Sequence, residues 1–369
     1  MPFCAHRCGY CNFTVIAGRD DLTGSYLDAL GAELASLGHP REVDTLFFGG
    51  GTPTHLELPD LRSLFEITRH WLKPADGCEI SVEANPCDIS LPVLELLVEF
   101  GINRISLGGQ SFDISKLKIL ERDHTPQRLQ DAVELAKRYI PSVSLDLIFG
   151  VPGETLAAWQ ADLAAALALA LQHVSTYGLT FERGANFWAR LVRGDLARVD
   201  EEIEREMYCL AIETLAGAGF EHYEVSNFAR AGKRCRHNET YWAGLPYFAF
   251  GPGASWYVDG VRSTNHRSTS TYLKRVLAGG SPIADEERLD PEDRARERLV
   301  FGLRRLEGVN RRQFAGATGF EIDQLVAKSL SRHIELGLLA DDGNSVRLTR
   351  EGLLVSDAIW PDFLVRSRS

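Results

Sequence analysis

Apolar residues in this chain fall in short blocks separated by amphipathic stretches. Five blocks of β type run VDTLFFGGG (43–51), CEISVEANP (78–86), NRISLGGQSF (103–112), SVSLDLIFGVPG (142–153) and HVSTYGLTFE (173–182). Rich in Val, Ile, Leu and Phe, each ends near Gly, Pro or a polar residue, as strands covered on both faces do. Helical spacing fills the intervals, as in LPDLRSLFEITRHWL (58–72) and TPQRLQDAVELAKRY (125–139). Strand and helix in alternation predict parallel strands joined by right-handed crossovers. The repeat of roughly 30–35 residues is that of βα units in a barrel or a doubly wound sheet.

Beyond about residue 195 the pattern changes. A charged helix (RVDEEIEREMYCLAIETLAGAG, 198–219) leads into an aromatic, glycine-rich stretch from Phe220 to Tyr257. SPIADEERLDPEDRA (281–295) reads as a break. The last segment reads as three helices and then SVRLTREG (345–352) as a short hairpin, which is a small winged-helix-like α+β module. The expected division is 1–195, an α/β barrel core, then 196–290, an extension, then 291–369, the C-terminal module. LAAALALAL (163–171) is far short of the ~20 apolar residues that span a membrane and reads as a buried helix.

Composition narrows the options. Apolar residues make up 44% of 369, enough for a large core, and the formal net charge is −11. A nucleic-acid binder normally carries a basic face, so that class is disfavoured, although a local pocket can oppose the global sign. The opening residues lack a charged segment followed by an apolar one, so a cytoplasmic location with reduced thiols is expected. The seven cysteines then read as ligands or buried thiols, with Cys78, Cys87 and Cys209 expected to be inert core residues.

Cys4, Cys8 and Cys11 stand apart, in the spacing CxxxCxxC. Thiolates select zinc, copper(I) or iron–sulfur clusters. Structural zinc takes four protein ligands, usually on two paired arms, and only one arm is present; His6 lies inside the loop itself. A 4Fe–4S cluster usually takes four cysteines, so three leave one iron open to an exogenous ligand. In a βα barrel the working residues sit at the C-terminal ends of the strands. Here those ends carry Gly49-Gly50-Gly51-Thr52, Glu83, Gln110, Asp146 and Thr180. Glycines let backbone approach a ligand closely, Glu83 and Asp146 suit ribose hydroxyls, and Gln110 with Arg122 suits a carboxylate. GGGTPT is no P-loop, since no Gly-Lys-Ser/Thr follows.

CAHRCGYC resembles the signature of the radical S-adenosylmethionine (SAM) superfamily. FFGGGTPT, SVEANP, SLGGQSF, LERDHT and DLIFGVPGET resemble the SAM-binding elements of the family of oxygen-independent coproporphyrinogen III oxidases and HemW-type haem chaperones. The resemblance implies a partial (βα)6 TIM-like barrel, a 4Fe–4S cluster on Cys4, Cys8 and Cys11, and SAM contacts from Tyr10, Gly50, Gly51, Thr52, Glu83, Gln110, Arg122, Asp146 and, more loosely, Thr180. Chains of this family carry an extended segment before Pro-Phe-Cys that supplies the first barrel strand. Only Met1 precedes Pro2 here, so a truncated first strand with an open sheet edge is expected, from a lost strand or a misassigned start.

Two features discriminate within the family. Phe13 stands where the oxidase carries a further cysteine. CRHNETYW (235–242) resembles the HNxxYW signature of the haem chaperones, at His237, Asn238, Tyr241 and Trp242. Imidazole ligates iron, and Tyr and Trp offer flat faces to a porphyrin; Cys235 is an alternative axial ligand. Ser255-Trp256 departs from the family's usual His-Ser after GPGA. The resemblance implies a chaperone holding haem for haem-accepting proteins, with an electron donor as a further partner and peripheral membrane contact possible. The alternative is a coproporphyrinogen III dehydrogenase that cleaves SAM. A third reading is a scaffold unable to hold its cluster for want of the first strand.

Overall fold

The computed structural model describes residues 1–365. Its main sheet has seven strands and curls into a half barrel. Five are parallel and adjacent in chain order: Arg41–Phe48, Leu72–Ala84, Arg104–Gln110, Ser142–Phe149 and His173–Gly178. Asn227–Ala229 and Glu221–Glu224 extend the sheet antiparallel at the far side. Helices Leu58–Trp71, Leu91–Glu99, Pro126–Ala136 and Leu156–Ala168 make the crossovers. Their stripes meet the sheet in one core, where Leu61, Leu94, Leu129 and Trp159 lie with Ile105, Leu107, Leu145 and Leu147, all fully buried. Caps start two of these helices: Thr125 and Thr155 accept from the N–H groups of Arg128 and Ala158. The Ala/Leu stretch at 163–171 forms the last turns of the Leu156–Ala168 helix and the turn after it, with Leu163 buried as expected. Among the described residues no helix is long and apolar enough to cross a membrane.

The sheet begins at Arg41–Phe48, so five strands rather than six run parallel in it. The opening residues still make a short ladder beside it. Gly51 N–H donates to Met1 O at 2.7 Å and Thr52 N–H to Phe3 O at 2.8 Å, while Phe3–Cys4 pairs in parallel with Ile16–Ala17. Lower down, the helix Arg236–Trp242 packs on the Arg41–Phe48 strand through Thr45 and Phe47.

Two readings need correction. The stretch 281–295 is no simple break: Ile283–Arg288 is the edge strand of a three-stranded antiparallel sheet with Ser255–Val258 and Val261–Asn265. Nearly all its side chains are exposed, so it lacks the alternation that reveals a half-buried strand. Cys87 is exposed, not a core thiol, because it sits in the short turn Pro86–Asp88 capped by Asn85. Cys78 is buried and Cys209 half-buried.

The C-terminal segment has helices Pro291–Leu303, Arg311–Thr318 and Ile322–Glu335 and a sheet of Val309–Asn310, Ser345–Leu348 and Leu339–Asp341. Its own core contains Leu299, Leu303, Phe314, Leu325, Val346 and Phe363. The buried Arg296 guanidinium donates to Leu325 O at 2.7 Å and Phe363 O at 3.1 Å, tying the final helix Ser356–Leu364 to the first.

Candidate cofactor site at the barrel mouth

The loop after Phe3 turns tightly, with Cys11 N–H donating to Cys8 O at 3.0 Å. It is fastened to the Asn186–Arg193 helix, whose Phe187 N–H donates to Gly9 O at 2.7 Å. A Cβ on Gly9 would lie 2.3 Å from the Phe187 ring, so only glycine allows this approach. His6 contacts Glu121 at 3.4 Å, and Glu121 also meets Arg190 at 3.3 Å. Glu121 holds a left-handed backbone (φ 56), a strained conformation for a non-glycine residue.

The cavity under this loop is about 640 Å³. Cys4, Cys8, Cys11, Tyr10, Gly50, Gly51, Thr52, Glu83, Gln110, Arg122, Asp146 and Thr180 all line it. They come from the cysteine loop, from the C-terminal parts of the five parallel strands or the turns just beyond them, and, for Arg122, from the turn that ends the short helix Ile114–Ile119. Cys4 Sγ lies 3.4 Å from Thr52 Oγ1, and Arg122 Nη1 lies 3.6 Å from Cys8 Sγ. Burial pushes the Cys4 and Cys11 thiols up, and the neighbouring cysteines add to this. Glu83 Oε2 accepts from Gly50 N–H at 2.9 Å, and Ser106 donates to Asp146 at 3.1 Å. Burial pushes the Glu83 carboxyl up to about 7 against the pull of the Gly50 N–H, and the nearby Asp146 adds to the rise. Burial likewise raises Asp146, opposed by Ser175 and Ser106. Gln110 takes a left-handed backbone (φ 63) at a bulge against Leu147, which leaves its side chain on the cavity wall. Arg122 donates to Gly108 O at 2.9 Å, yet its buried Nε has no partner.

This donor set suits a cluster and an anionic amino-acid ligand. All three thiols are free of disulfides and face one space. Among the described residues no three His, Cys, Asp or Glu side chains are gathered closely enough to hold one metal ion. The unpartnered Arg122 Nε offers a charge-assisted bond to a carboxylate. Ser106, Tyr177 and Glu121 also line the cavity and were not singled out. Ser106 and Tyr177 had a signal: each lies on a predicted strand, a few residues before its end.

The other four expected residues lie elsewhere, on or beside the Arg236–Trp242 helix. His237 is enclosed. Its Nδ1 bonds Thr45 Oγ1 at 2.9 Å, its Nε2 bonds the Tyr241 hydroxyl at 2.9 Å, and its ring stacks on Phe47. Burial lowers it to about 4, so the ring is neutral at ordinary pH. Trp242 faces the C-terminal segment, under the Arg304 guanidinium and with its buried Nε1 unpartnered. Asn238 is half-buried between them in sequence. Cys235 is buried, with Sγ 3.6 Å from Glu79. The Arg41–Phe48 strand links the two regions: Thr45 and Phe47 touch His237, and the glycines after Phe48 line the cysteine cavity.

Three thiols over the mouth of a curled βα half barrel define a radical SAM protein. Residues 1–166 match the Radical SAM superfamily and residues 289–355 the HemN C-terminal domain. The chain is 35% identical to the haem chaperone HemW of Bacillus subtilis, over 99% of this chain and 97% of that one. It is 37% identical to that of Synechocystis, over 89% and 82%, and 33% identical to that of Lactococcus lactis, over 99% and 96%. The chain belongs to the HemW family of radical SAM proteins. In fold it is similar to coproporphyrinogen III oxidase (HemN) from Escherichia coli, with a TM-score of 0.87 at 22% identity, covering 98% of this chain and 88% of that one.

Proposed function

We propose that the protein is a haem chaperone that holds a 4Fe–4S cluster on Cys4, Cys8 and Cys11 and SAM beside it. The observation that carries the cofactor part is the convergence of twelve side chains and glycines from seven chain segments on one cavity. A cluster bound there supplies an iron with an open coordination position and an electron. In this reading Arg122 and Gln110 hold the carboxylate of SAM, the 49–51 backbone holds its amino group, and Glu83 and Asp146 accept from its ribose hydroxyls. Tyr10, packed edge-on against Phe187, covers the ligand from the loop side. Thr180 lies exposed at the rim.

The haem part rests on the relatives named haem chaperone HemW. Phe13, 64% exposed at the same cavity, supports it over oxidase chemistry, since no fourth thiol stands there. Haem would pass to haem-accepting proteins, and an electron donor would serve the cluster. Absence of a membrane-crossing helix among the described residues suits a cytoplasmic protein. The test is anaerobic reconstitution with iron and sulfide, iron analysis, and titration with hemin followed in the Soret band. Cluster loading with stoichiometric haem binding is expected. Turnover of coproporphyrinogen to protoporphyrinogen with release of 5'-deoxyadenosine, and no haem uptake, would overturn it.

A further inference from the structure

A second cavity, about 380 Å³, opens between the Arg236–Trp242 helix and the C-terminal segment. It shares no residue with the cysteine cavity. Its walls combine aromatic faces, among them Trp242 and Tyr257, with the guanidinium groups of Arg262, Arg294 and Arg298. The one carboxylate in the wall, Glu297, is already paired with Arg262 through both oxygens, at 3.1 and 2.5 Å. Arg262 also pairs with Glu287 at 3.1 Å, so three arginines against two glutamates leave a surplus of one positive charge, carried by the Arg294 and Arg298 side, in a chain whose formal net charge is −11.

That surplus is built in. Arg294 and Arg298 lie four residues apart on the Pro291–Leu303 helix, where like charges repel and weaken the helix. Each runs against a glycine with positive φ. A Cβ on Gly260 would lie 2.7 Å from Arg294 Nη1, and one on Gly244 would lie 3.1 Å from Arg298 Cγ. Two donors in this wall, Arg294 Nε and Trp242 Nε1, are buried without a partner. Buried donors left unpaired cost free energy that an acceptor from a ligand recovers. Aromatic faces beside paired cations select a flat molecule with carboxylates on one edge.

We infer that this crevice is a porphyrin site, with the macrocycle against Trp242 and Tyr257 and its carboxylates on Arg294 and Arg298. The inference rests on the haem-chaperone reading and deepens it. It moves recognition of the macrocycle away from His237, whose two ring nitrogens are already engaged, to the face that the C-terminal segment completes. Aromatic stacking and carboxylate pairing do not require iron, so a metal-free porphyrin binds here as well.

The test titrates full-length protein with hemin, protoporphyrin IX and protoporphyrin IX dimethyl ester, following tryptophan quenching. Wild type should bind both free acids at least about tenfold more tightly than the ester, the effect of one charge-assisted pair. Arg294→Ala/Arg298→Ala should lose that preference, and Trp242→Phe should weaken all three porphyrins. Arg298→Gln, a milder change, must reduce the preference even if the double variant does not fold. A wild type that binds hemin but not protoporphyrin IX overturns the inference alone. So does an arginine variant with unchanged affinity and preference. A wild type that binds no hemin overturns the haem-chaperone reading itself.

Discussion

Glu83 accepts a hydrogen bond from the Gly50 N–H at 2.9 Å, and a Cβ on the preceding Gly49 would lie 2.5 Å from the same carboxylate. The strand-end acid thus holds the glycine loop in place before any ligand arrives. Burial pushes its carboxyl up to about 7. A raised folded-state value means that the folded protein binds the proton more tightly than the unfolded chain. Stability from this group is therefore full below about 4.5 and is lost as pH rises through about 7. The shift sets a ceiling of about 3 kcal/mol. Glu83 is only half-buried and faces an open cavity, so about 1–2 kcal/mol is expected. Glu83→Gln keeps an acceptor for Gly50 and removes the charge. Urea midpoints at pH 5 and pH 8 should show the variant gaining on wild type only at pH 8. An equal difference at both values would count against the raised carboxyl.

Gly51 is required by backbone, not by a side chain. A Cβ there would meet Phe3 O at 2.5 Å and Met1 O at 2.9 Å. Gly51→Ala should cost about 1–3 kcal/mol by overpacking and should push Phe3, with Cys4 next to it, out of place. Iron and sulfide retained after reconstitution should fall well below wild type. Gly31→Ala is the control. It lies in the Thr23–Ala35 helix with its nearest neighbour 3.7 Å away, and alanine there should be neutral or stabilising. Equal loading in the two variants would show that the contact at Gly51 does not position the cysteines.

The barrel was legible because buried strands and amphipathic helices leave periodic traces. The cysteine site was legible because chemistry concentrates at strand ends, as Glu83, Gln110 and Asp146 do. Charge and polarity hid other elements. Ile283–Arg288 has two adjacent apolar residues, Ile283 and Ala284, followed by four charges and an exposed surface, so nothing in its pattern speaks of a strand. The HNETYW stretch predicts proximity of His237, Tyr241 and Trp242, and the short helix supplies it. It does not reveal that the helix turns His237 toward Phe47 and Trp242 toward Phe301. Nothing in the sequence singles out Arg294 and Arg298. Their cavity exists only because residues some fifty positions away in the Arg236–Trp242 helix pack against them, and no local pattern encodes that.

His237 should act on stability before it acts on any ligand. His237→Ala would strand the Thr45 and Tyr241 hydroxyls and remove the stack on Phe47. A loss of about 3 kcal/mol is expected, from unpaired polar groups and a cavity together. Because burial lowers the ring to about 4, its contribution is full above about 6.5 and is lost as pH falls toward 4. Denaturant titration of wild type and variant at pH 7.5 and pH 5 should show the gap narrowing at the lower pH. A gap that widens would mean the ring is charged in the folded state.

Behind the cavity wall, Lys116 carries a different burden. It is 5% exposed and pairs with Glu154 and with Asp162, the latter at 2.9 Å, both almost fully buried. Asp162 also accepts from Ser111 Oγ at 2.7 Å and Phe112 N–H at 2.6 Å, and Glu154 accepts from Val151 N–H at 3.0 Å. The triad therefore clamps two loops, the one just after Gln110 and the one that follows the Ser142–Phe149 strand. Removing the cation leaves two carboxylates in a dry site, and breaking such a pair costs about 3–5 kcal/mol. Lys116→Met should lose that much in a denaturant titration at pH 7.5, and reconstituted protein should bind SAM more weakly because Gln110 is no longer fixed. Adding Glu154→Gln and Asp162→Asn removes both stranded charges and should recover much of the stability. SAM affinity should recover less, since neutral amides do not reproduce the clamp. Equal recovery of both would show that the triad serves the core alone and does not position Gln110.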